Sequence, residues 1–384
     1  MRIVHYLSAM RLADGGVVHA VADIAAAVAR AGCEVRLLTR DAADVPELIP
    51  DPPASLDVRT LGPGRPGPLA AFDAARFAEH LDDADALHLH TPWDPANVAA
   101  ARAARAAGVP YALSTHGMLD RWAMSIRPRK KRLYLKLAGE RLLRGSAAVL
   151  CTSEEEAQQC RAELPGARVE ALPLFCNMSF VGEPPGELSE AEWSEHLPGV
   201  PRDEPIVGFL GRVFMGKGLR VLIPAVGELR RSGVGCRLMV AGPMAEAFGG
   251  ELGELARREG VSDRVHLLGR VSGARKSAAL RAMRVMVLAS IHENFGLVAP
   301  EALAAGTPVV VTRGVAIWRE LERTGGAVVA EREPAALASA IRPLLEDGAS
   351  AAEMGRAGRA GCAAWLDPSR NAERYASFYG SLAG

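Results

Sequence analysis

The densest chemistry in the chain lies in Ser290-Ile291-His292-Glu293-Asn294-Phe295-Gly296-Leu297-Val298-Ala299-Pro300-Glu301-Ala302-Leu303. It begins where the apolar run Val285–Leu288 ends and leads into a helix that stops near Gly306. Pro300 is tolerated only in a first helical turn, which fixes where that helix starts. Glu293 then lies on the loop, the amides of Asn294, Phe295, Gly296 and Leu297 at the helix mouth, and Glu301 about one turn inside. Two carboxylates beside a nest of amides can accept hydrogen bonds from two sets of hydroxyls, while the amides carry negative charge.

A second cluster is cationic. Gly211-Arg212 and Lys217-Gly218 bound a loop after the run Ile206–Leu210. The two cations can converge on a diphosphate, Arg as a planar fork and Lys as a point charge; alone, the pair reads equally as a solvated loop. Asp14-Gly15-Gly16 joins the first apolar run to an Ala/Val-rich helix, Val17 to Ala31. Glycines there let backbone approach a ligand, and the helix start favours an anion, although tight turns also use Gly-Gly for steric reasons. His116, in Ser114-Thr115-His116-Gly117, ends the fourth run, where an imidazole can hydrogen-bond a hydroxyl; a lone histidine is more often structural.

Two literal motif matches fail on mechanism. Gly62-Pro63-Gly64-Arg65-Pro66-Gly67 has the GxGxxG spacing, but prolines remove two of the N–H groups a phosphate cradle needs. Asp83-Ala84-Asp85 matches a DxD metal motif, yet it precedes the strand Ala86–His90 instead of leaving one.

Short apolar runs alternate with helix-length segments throughout. In the first half they are Ile3–Leu7, Val35–Leu38, Ala86–His90, Tyr111–Ser114, Ala147–Cys151 and Val169–Leu172. In the second half they are Ile206–Leu210, Cys236–Ala241, Val265–Leu268, Val285–Leu288, Pro308–Thr312 and Ala327–Ala330. Such runs predict buried parallel strands, and the rhythm predicts two doubly wound α/β domains. The expected boundaries are 1–176 for the first domain, 177–205 for a linker and 206–364 for the second. Pro and Gly in Gly182-Glu183-Pro184-Pro185-Gly186 break both periodicities in that linker. Residues 365–384 predict a terminal helix packing an aromatic stripe (Trp365, Tyr375, Phe378, Tyr379) onto the first domain.

Composition narrows the classes. The 384 residues carry 45 Lys+Arg against 45 Asp+Glu, so a general nucleic-acid binder is not expected. Hydrophobic residues at 49% and charged residues at 23% exclude a mostly disordered chain. The six cysteines include no CxxC pair and no zinc spacing, and read as reduced, buried thiols. No signal peptide opens the chain and no run is long enough to span a membrane, so a cytoplasmic protein is expected.

In this order and at these spacings, the glycine pair, the strand-end His, the Gly-Arg…Lys-Gly loop and the two glutamates followed by Ala-Leu-Ala-Ala-Gly-Thr-Pro-Val-Val resemble the GT-B fold glycosyltransferases of family 4, which retain configuration and use nucleotide sugars. The resemblance covers nearly the whole chain and implies two Rossmann-like domains facing across a cleft. It implies that Gly15 and Gly16 admit the diphosphate and donor sugar, and that His116 contacts the sugar near the reacting centre. Arg212 and Lys217 would neutralise the leaving diphosphate. Glu293 would bind sugar hydroxyls, the amides of Asn294 to Leu297 would assist, and Glu301 would hold the ribose. Gly242 and the Arg270-Val271 turn match where such enzymes seat the base. Gly216 and His292 depart from the family's usual residues, without removing a required charge.

The expected partners are a nucleoside-diphosphate sugar, with UDP ahead of GDP, and a small-molecule, glycan or lipid-linked hydroxyl acceptor, with neither cofactor nor obligatory metal. Thr115 to Ala123 resembles a subgroup from surface-polysaccharide gene clusters. The segment 127–144 brings eight Arg/Lys against one acid, with Leu133, Tyr134, Leu135 and Leu137 between them. It reads as a solvated helix face or as a basic amphipathic helix lying on the inner face of an anionic membrane. Rivals are a sugar-nucleotide epimerase on the same fold, a nicotinamide dehydrogenase and a non-catalytic sensor. The dehydrogenase would need a true GxGxxG turn, which the chain lacks.

Overall fold

In the computed structural model, residues 1–62, 73–176 and 188–383 are described. Of the Gly62–Gly67 segment only Gly62 falls among them, and the Gly182–Gly186 stretch lies outside them. The chain divides into two units, Met1–Phe175 with Leu366–Gly384, and Cys176–Trp365.

The first unit is built on seven parallel strands: β1 Arg2–Tyr6, β2 Glu34–Thr39, β3 Leu56–Thr60, β4 Ala86–His90, β5 Tyr111–Ser114, β6 Ala148–Cys151 and β7 Val169–Ala171, in spatial order β3-β2-β1-β4-β5-β6-β7. Tyr6, Leu38, Leu87, Leu89, Leu113 and Val149 stack a continuous core on one face. The sequence reading has no strand at β3. Leu56-Asp57-Val58-Arg59-Thr60 alternates apolar with polar residues on the sheet edge, so it makes no apolar run. The His116 turn therefore follows the fifth strand, not the fourth.

The second unit has six parallel strands: β8 Ile206–Leu210, β9 Arg237–Ala241, β10 Val265–Gly269, β11 Val285–Leu288, β12 Val309–Thr312 and β13 Ala327–Ala330, in order β10-β9-β8-β11-β12-β13. Val207, Phe209, Val240, Val287 and Val310 face the helices Leu219–Arg231 and Pro334–Glu346 in its core. Helices cover the central strands, which is why these read as apolar runs, while the edge strands β3 and β10 carry exposed residues.

Two stretches differ from expectation. The described part of 177–205 holds a helix, Glu190–His196, opened by a reciprocal capping box between Ser189 and Glu192. Trp193 Nε1 closes it by donating to Val200 O at 2.8 Å. Side-chain caps start this helix where apolar periodicity is missing. Trp365 ends the preceding helix, Gly348–Trp365, and stacks on Phe295 with centroids 5.9 Å apart. The terminal helix is Pro368–Ala383, because the residue before a proline is pushed out of the helical region. Its buried Tyr375, Phe378 and Tyr379 lie on the first unit, against the helix Gly16–Arg30 and β4.

Candidate active site

The second sheet reverses its strand order between β8 and β11. Open parallel sheets take ligands beyond their strands' carboxyl ends at such a point. Arg212 and Lys217 follow β8 there, Gly242 follows β9, Val271 follows β10, and Glu293 to Leu297 follow β11.

Backbone ties hold two of these loops together. Ile291 N donates to Gly216 O at 2.8 Å, and Lys217 Nζ forms an ion pair with Glu293 Oε2. The Glu293 backbone is pinned separately: its N–H donates to Gly314 O at 2.8 Å and its carbonyl accepts from Ala316 N at 2.9 Å. The two side chains are 17% and 18% exposed, so neither is a freely solvated charge. An ammonium has three N–H donors and a carboxylate two oxygens, so the pair keeps donors and an acceptor for a ligand. Arg212 is exposed and has no carboxylate partner among the described residues. Its guanidinium carbon lies 5.8 Å and Lys217 Nζ 5.7 Å from the Phe214 ring centroid. The sequence reading missed Phe214, whose ring lies beside both cations. Gly216 suits its place, since a Cβ there would press within 2.9 Å of that ring.

Two glycines permit close backbone approach. Gly218 has φ 87° and its Cβ would sit 2.1 Å from Ala289 O; Gly242 has φ 139° and its Cβ would sit 1.9 Å from Gly211 O. Any side chain at either position would push apart loops that carry the candidate residues.

Glu301 lies on the helix Val298–Ala304, with Pro300 in its first turn as expected. Its Oε1 accepts from Lys276 Nζ at 2.7 Å, while the buried Oε2 finds no partner among the described residues. Burial raises the Glu301 carboxyl above its usual range, and Lys276 pulls it back. Lys276 was not foreseen: it comes from the helix Gly273–Ala282, and no local motif announces it. Phe295 is buried against Trp365, so it offers a ligand its backbone only.

In the first unit the order reverses between β1 and β4. Beyond β1, Gly15 adopts φ 84° and Gly16 starts the helix Gly16–Arg30. Beyond β5, His116 stands at φ 48°, a left-handed conformation that non-glycine residues rarely take. Glu156 holds that turn. Its Oε1 accepts from Thr115 Oγ1 and Gly117 N, both at 2.5 Å, and its Oε2 from Thr152 N at 2.8 Å and Thr152 Oγ1 at 3.1 Å. Burial pushes the Glu156 carboxyl up, against these four donors. In sequence Glu156 reads only as a helix-start residue three after Ser153, whose Oγ accepts its N–H at 3.2 Å. His116 is buried, and burial pushes its pKa down to about 4, so the ring is neutral at pH 7. Asp83 and Asp85 sit at the opposite sheet end: Asp85 Oδ2 accepts from Arg2 N at 2.7 Å, and Asp83 pairs with Arg2 and with Arg36 at 3.2 Å.

The family model described as glycosyl transferases group 1 matches residues 195–361, and that of the glycosyl transferase 4-like domain matches 15–174. Between them they cover most of the chain, one on each unit. The chain belongs to the family 4 glycosyltransferases. It is 29% identical to a D-inositol 3-phosphate glycosyltransferase of Xylanimonas cellulosilytica, over 90% of this chain and 87% of that protein. It is 28% identical to a 2-deoxystreptamine glucosyltransferase of Streptomyces kanamyceticus, covering 67% of each. Among solved structures, the Anabaena protein HepE in complex with UDP and glucose superposes with a TM-score of 0.78 at 19% identity, over 100% of both chains. The fold is therefore GT-B, and the dehydrogenase reading falls away.

In this glycosyltransferase the basic segment is helical from Pro128 onward: Pro128–Tyr134, a π turn Leu135–Gly139, then Glu140–Arg144. Leu142 and Leu143 anchor it in the first unit, whereas Leu133 and Leu137 are 58% and 70% exposed. No helix among the described residues is long and apolar enough to cross a membrane.

Proposed function

We propose that the enzyme transfers a hexose-type sugar from a nucleoside diphosphate, UDP before GDP, to an acceptor hydroxyl with retention of configuration. The observation that carries this reading is the Lys217–Glu293 ion pair at the strand-order reversal of the second sheet, with Arg212 beyond it. In the proposed reaction the anomeric bond breaks to an oxocarbenium-like sugar and a diphosphate that gains negative charge. Arg212, Lys217 and the amides of Asn294 to Leu297 stabilise that charge. Glu293 receives sugar hydroxyls, and the unpartnered Oε2 of Glu301 receives a ribose hydroxyl. Gly242 and Val271 border the base; for Gly15, Gly16 and His116 the proposal keeps the diphosphate and sugar contacts that the family resemblance implies. The departing phosphate oxygen deprotonates the acceptor on the same face of the sugar, so no covalent nucleophile is invoked. The proposal uses no DxD metal site, because Asp83 and Asp85 serve Arg2 and Arg36.

Polysaccharide or glycolipid synthesis is the acceptor class we favour, with the exposed Leu133 and Leu137 among basic residues touching an anionic membrane surface. The names of the two curated relatives favour a second class, cyclitols such as inositol phosphate and 2-deoxystreptamine. A thermal-shift panel of UDP, GDP, ADP, CDP, dTDP and NADH tests the donor. A ligand held only by the folded state, at about 100 times its Kd, stabilises by about 2.7 kcal/mol. A shift with UDP supports the reading, and the UDP-sugars are then assayed with lipid-linked and cyclitol acceptors. No shift with any nucleoside diphosphate removes the site assignment.

A further inference from the structure

The first unit contains four buried histidines joined through one tyrosine. Starting at Ser114, its Oγ lies 2.7 Å from His88 Nε2, and His88 Nδ1 lies 2.8 Å from the Tyr379 hydroxyl. That hydroxyl is 3.4 Å from His5 Nε2. His5 Nδ1 is then 3.1 Å from His90 Nε2, and His90 Nδ1 is 3.1 Å from His116 Nε2. The sheet explains the assembly: His5 on β1 is the register partner of His88 on β4, and His88 and His90, two residues apart, share a face. The terminal helix lays Tyr379 on the same spot.

We propose that Tyr379, His5, His88, His90 and Ser114 act as positioning residues that fix the tautomer of His116 through this single hydrogen-bonded wire. A neutral imidazole has one donor nitrogen and one acceptor nitrogen, and a hydroxyl has one hydrogen. Along the wire His5, His88 and His90 use both nitrogens on neighbours and His116 uses Nε2, so one choice is passed from ring to ring. If Ser114 donates, every histidine carries its proton on Nδ1, Tyr379 donates to His5, and His116 presents Nδ1–H. If Ser114 accepts, every histidine is protonated on Nε2, Tyr379 donates to His88, and His116 presents a bare Nδ1. A mixture either places two donors or two acceptors face to face inside the protein or has both rings donate to Tyr379, which leaves its O–H without an acceptor on the wire. Burial holds all four rings neutral, which the scheme requires. His116 Nδ1 is the end of the wire, with no partner among the described residues. Its identity as donor or acceptor is therefore coupled to Ser114 through Tyr379, at the far end of the sequence.

A buried metal is the competing use of these groups, since ring nitrogens of His5, His88 and His90 all lie within 4.8 Å of one another. It would have to break the wire, because each of those nitrogens already has a hydrogen-bond partner.

The contribution to catalysis rests on the proposed donor role of His116, so the decisive measurement needs no substrate. Long-range 1H–15N correlation spectra of the 15N-histidine-labelled full chain report the protonated nitrogen of each ring. The expected result at neutral pH is one tautomer, the same in His5, His88, His90 and His116, and a changed or mixed tautomer at His116 in Tyr379→Phe. Ser114→Ala, which removes the hydroxyl that starts the wire, serves if Tyr379→Phe fails to fold. Mixed tautomers in the unaltered protein overturn the inference, as does a His116 signal unmoved in a folded variant. About one equivalent of zinc surviving chelation would overturn it too. If UDP-sugar turnover is established, Tyr379→Phe should lower kcat about tenfold, the low end of what outer partners of metal-bound histidines contribute, with UDP binding unchanged. Absence of UDP binding by the unaltered enzyme would discredit the donor reading and leave the spectra interpretable.

Discussion

Lys217 and Glu293 come from loops 76 residues apart in sequence and form an ion pair at the point where the second sheet reverses its strand order. Each was expected to meet a ligand; the fold makes each the other's partner as well. The pair is preorganised by backbone, because Gly216 O receives Ile291 N and Gly314 O receives Glu293 N. In the proposed reaction the diphosphate would meet an ammonium already held by its ion pair, leaving little reorganisation for the reaction.

Lys217→Ala should therefore lower turnover by at least about a hundredfold, equivalent to about 3 kcal/mol of transition-state stabilisation. The backbone ties do not depend on the side chain, so the far-UV spectrum and cooperative unfolding should persist. Steady-state kinetics beside a melting curve separate the two effects. Near-normal turnover would take Lys217 out of the mechanism.

How far this was legible in sequence depends on distance along the chain. Glu293, the Asn294–Leu297 amides and Glu301 fall within a few residues, and Pro300 marks the helix start, so their grouping could be read locally. Strands buried on both faces announce themselves as apolar runs, and only the half-wet edge strand Leu56–Thr60 was missed. The supporting groups were invisible because they are long-range. Lys276 reaches Glu301 from another helix, Glu156 reaches the His116 turn from beyond β6, and Tyr379 reaches His88 across 291 residues. A lone glutamate or tyrosine carries no sign of what it will touch.

Glu156→Gln tests one such hidden support. The carboxylate accepts four hydrogen bonds. A carboxamide has one acceptor oxygen, and its NH2 would face donors. Losing buried acceptors costs about 1–3 kcal/mol apiece, so a destabilisation of about 2–4 kcal/mol is expected. His116, held at φ 48° between Thr115 and Gly117, should also lose its fixed setting. Denaturant titration measures the first effect and the His116 imidazole resonance the second. Unchanged stability would mean that water can replace the carboxylate.

Acid should destabilise the first unit well above the usual carboxylate range. His5 is held at about 3 and His116 at about 4, and His88 and His90 lie well below 6.5, burial being the largest cause in each. Unfolded histidines titrate near 6.5, so below that pH the unfolded chain binds more protons than the folded one. Stability is then complete above about 6.5 and declines towards about 4, by about 1.4 kcal/mol per pH unit for each ring. Glu156, in the same unit and raised by burial, opposes this: folded, it holds its proton to higher pH than unfolded, so it adds stability as pH falls through its raised pKa. Denaturation midpoints at pH 7.5, 6.5 and 5.5 should fall progressively; a flat profile would show that the rings are not held neutral.

Gly242→Ala probes the close approach of the β8 and β9 exits. The added methyl would lie 1.9 Å from Gly211 O, and the backbone sits at φ 139°, where an L side chain is itself strained. The hydrogen bonds Gly211 N to Ala241 O at 2.9 Å and Gly242 N to Gly269 O at 2.7 Å hold that geometry, so relief requires breaking them. Strain of this kind costs about 1–3 kcal/mol, and the displaced carbonyl belongs to the residue just before Arg212. The variant should thus unfold earlier and, even where folded, bind UDP more weakly. A buried-core change of similar cost, such as Val287→Ala, should lower the midpoint without altering UDP affinity in the folded protein. Equal UDP affinity in both variants would separate Gly242 from the nucleotide site.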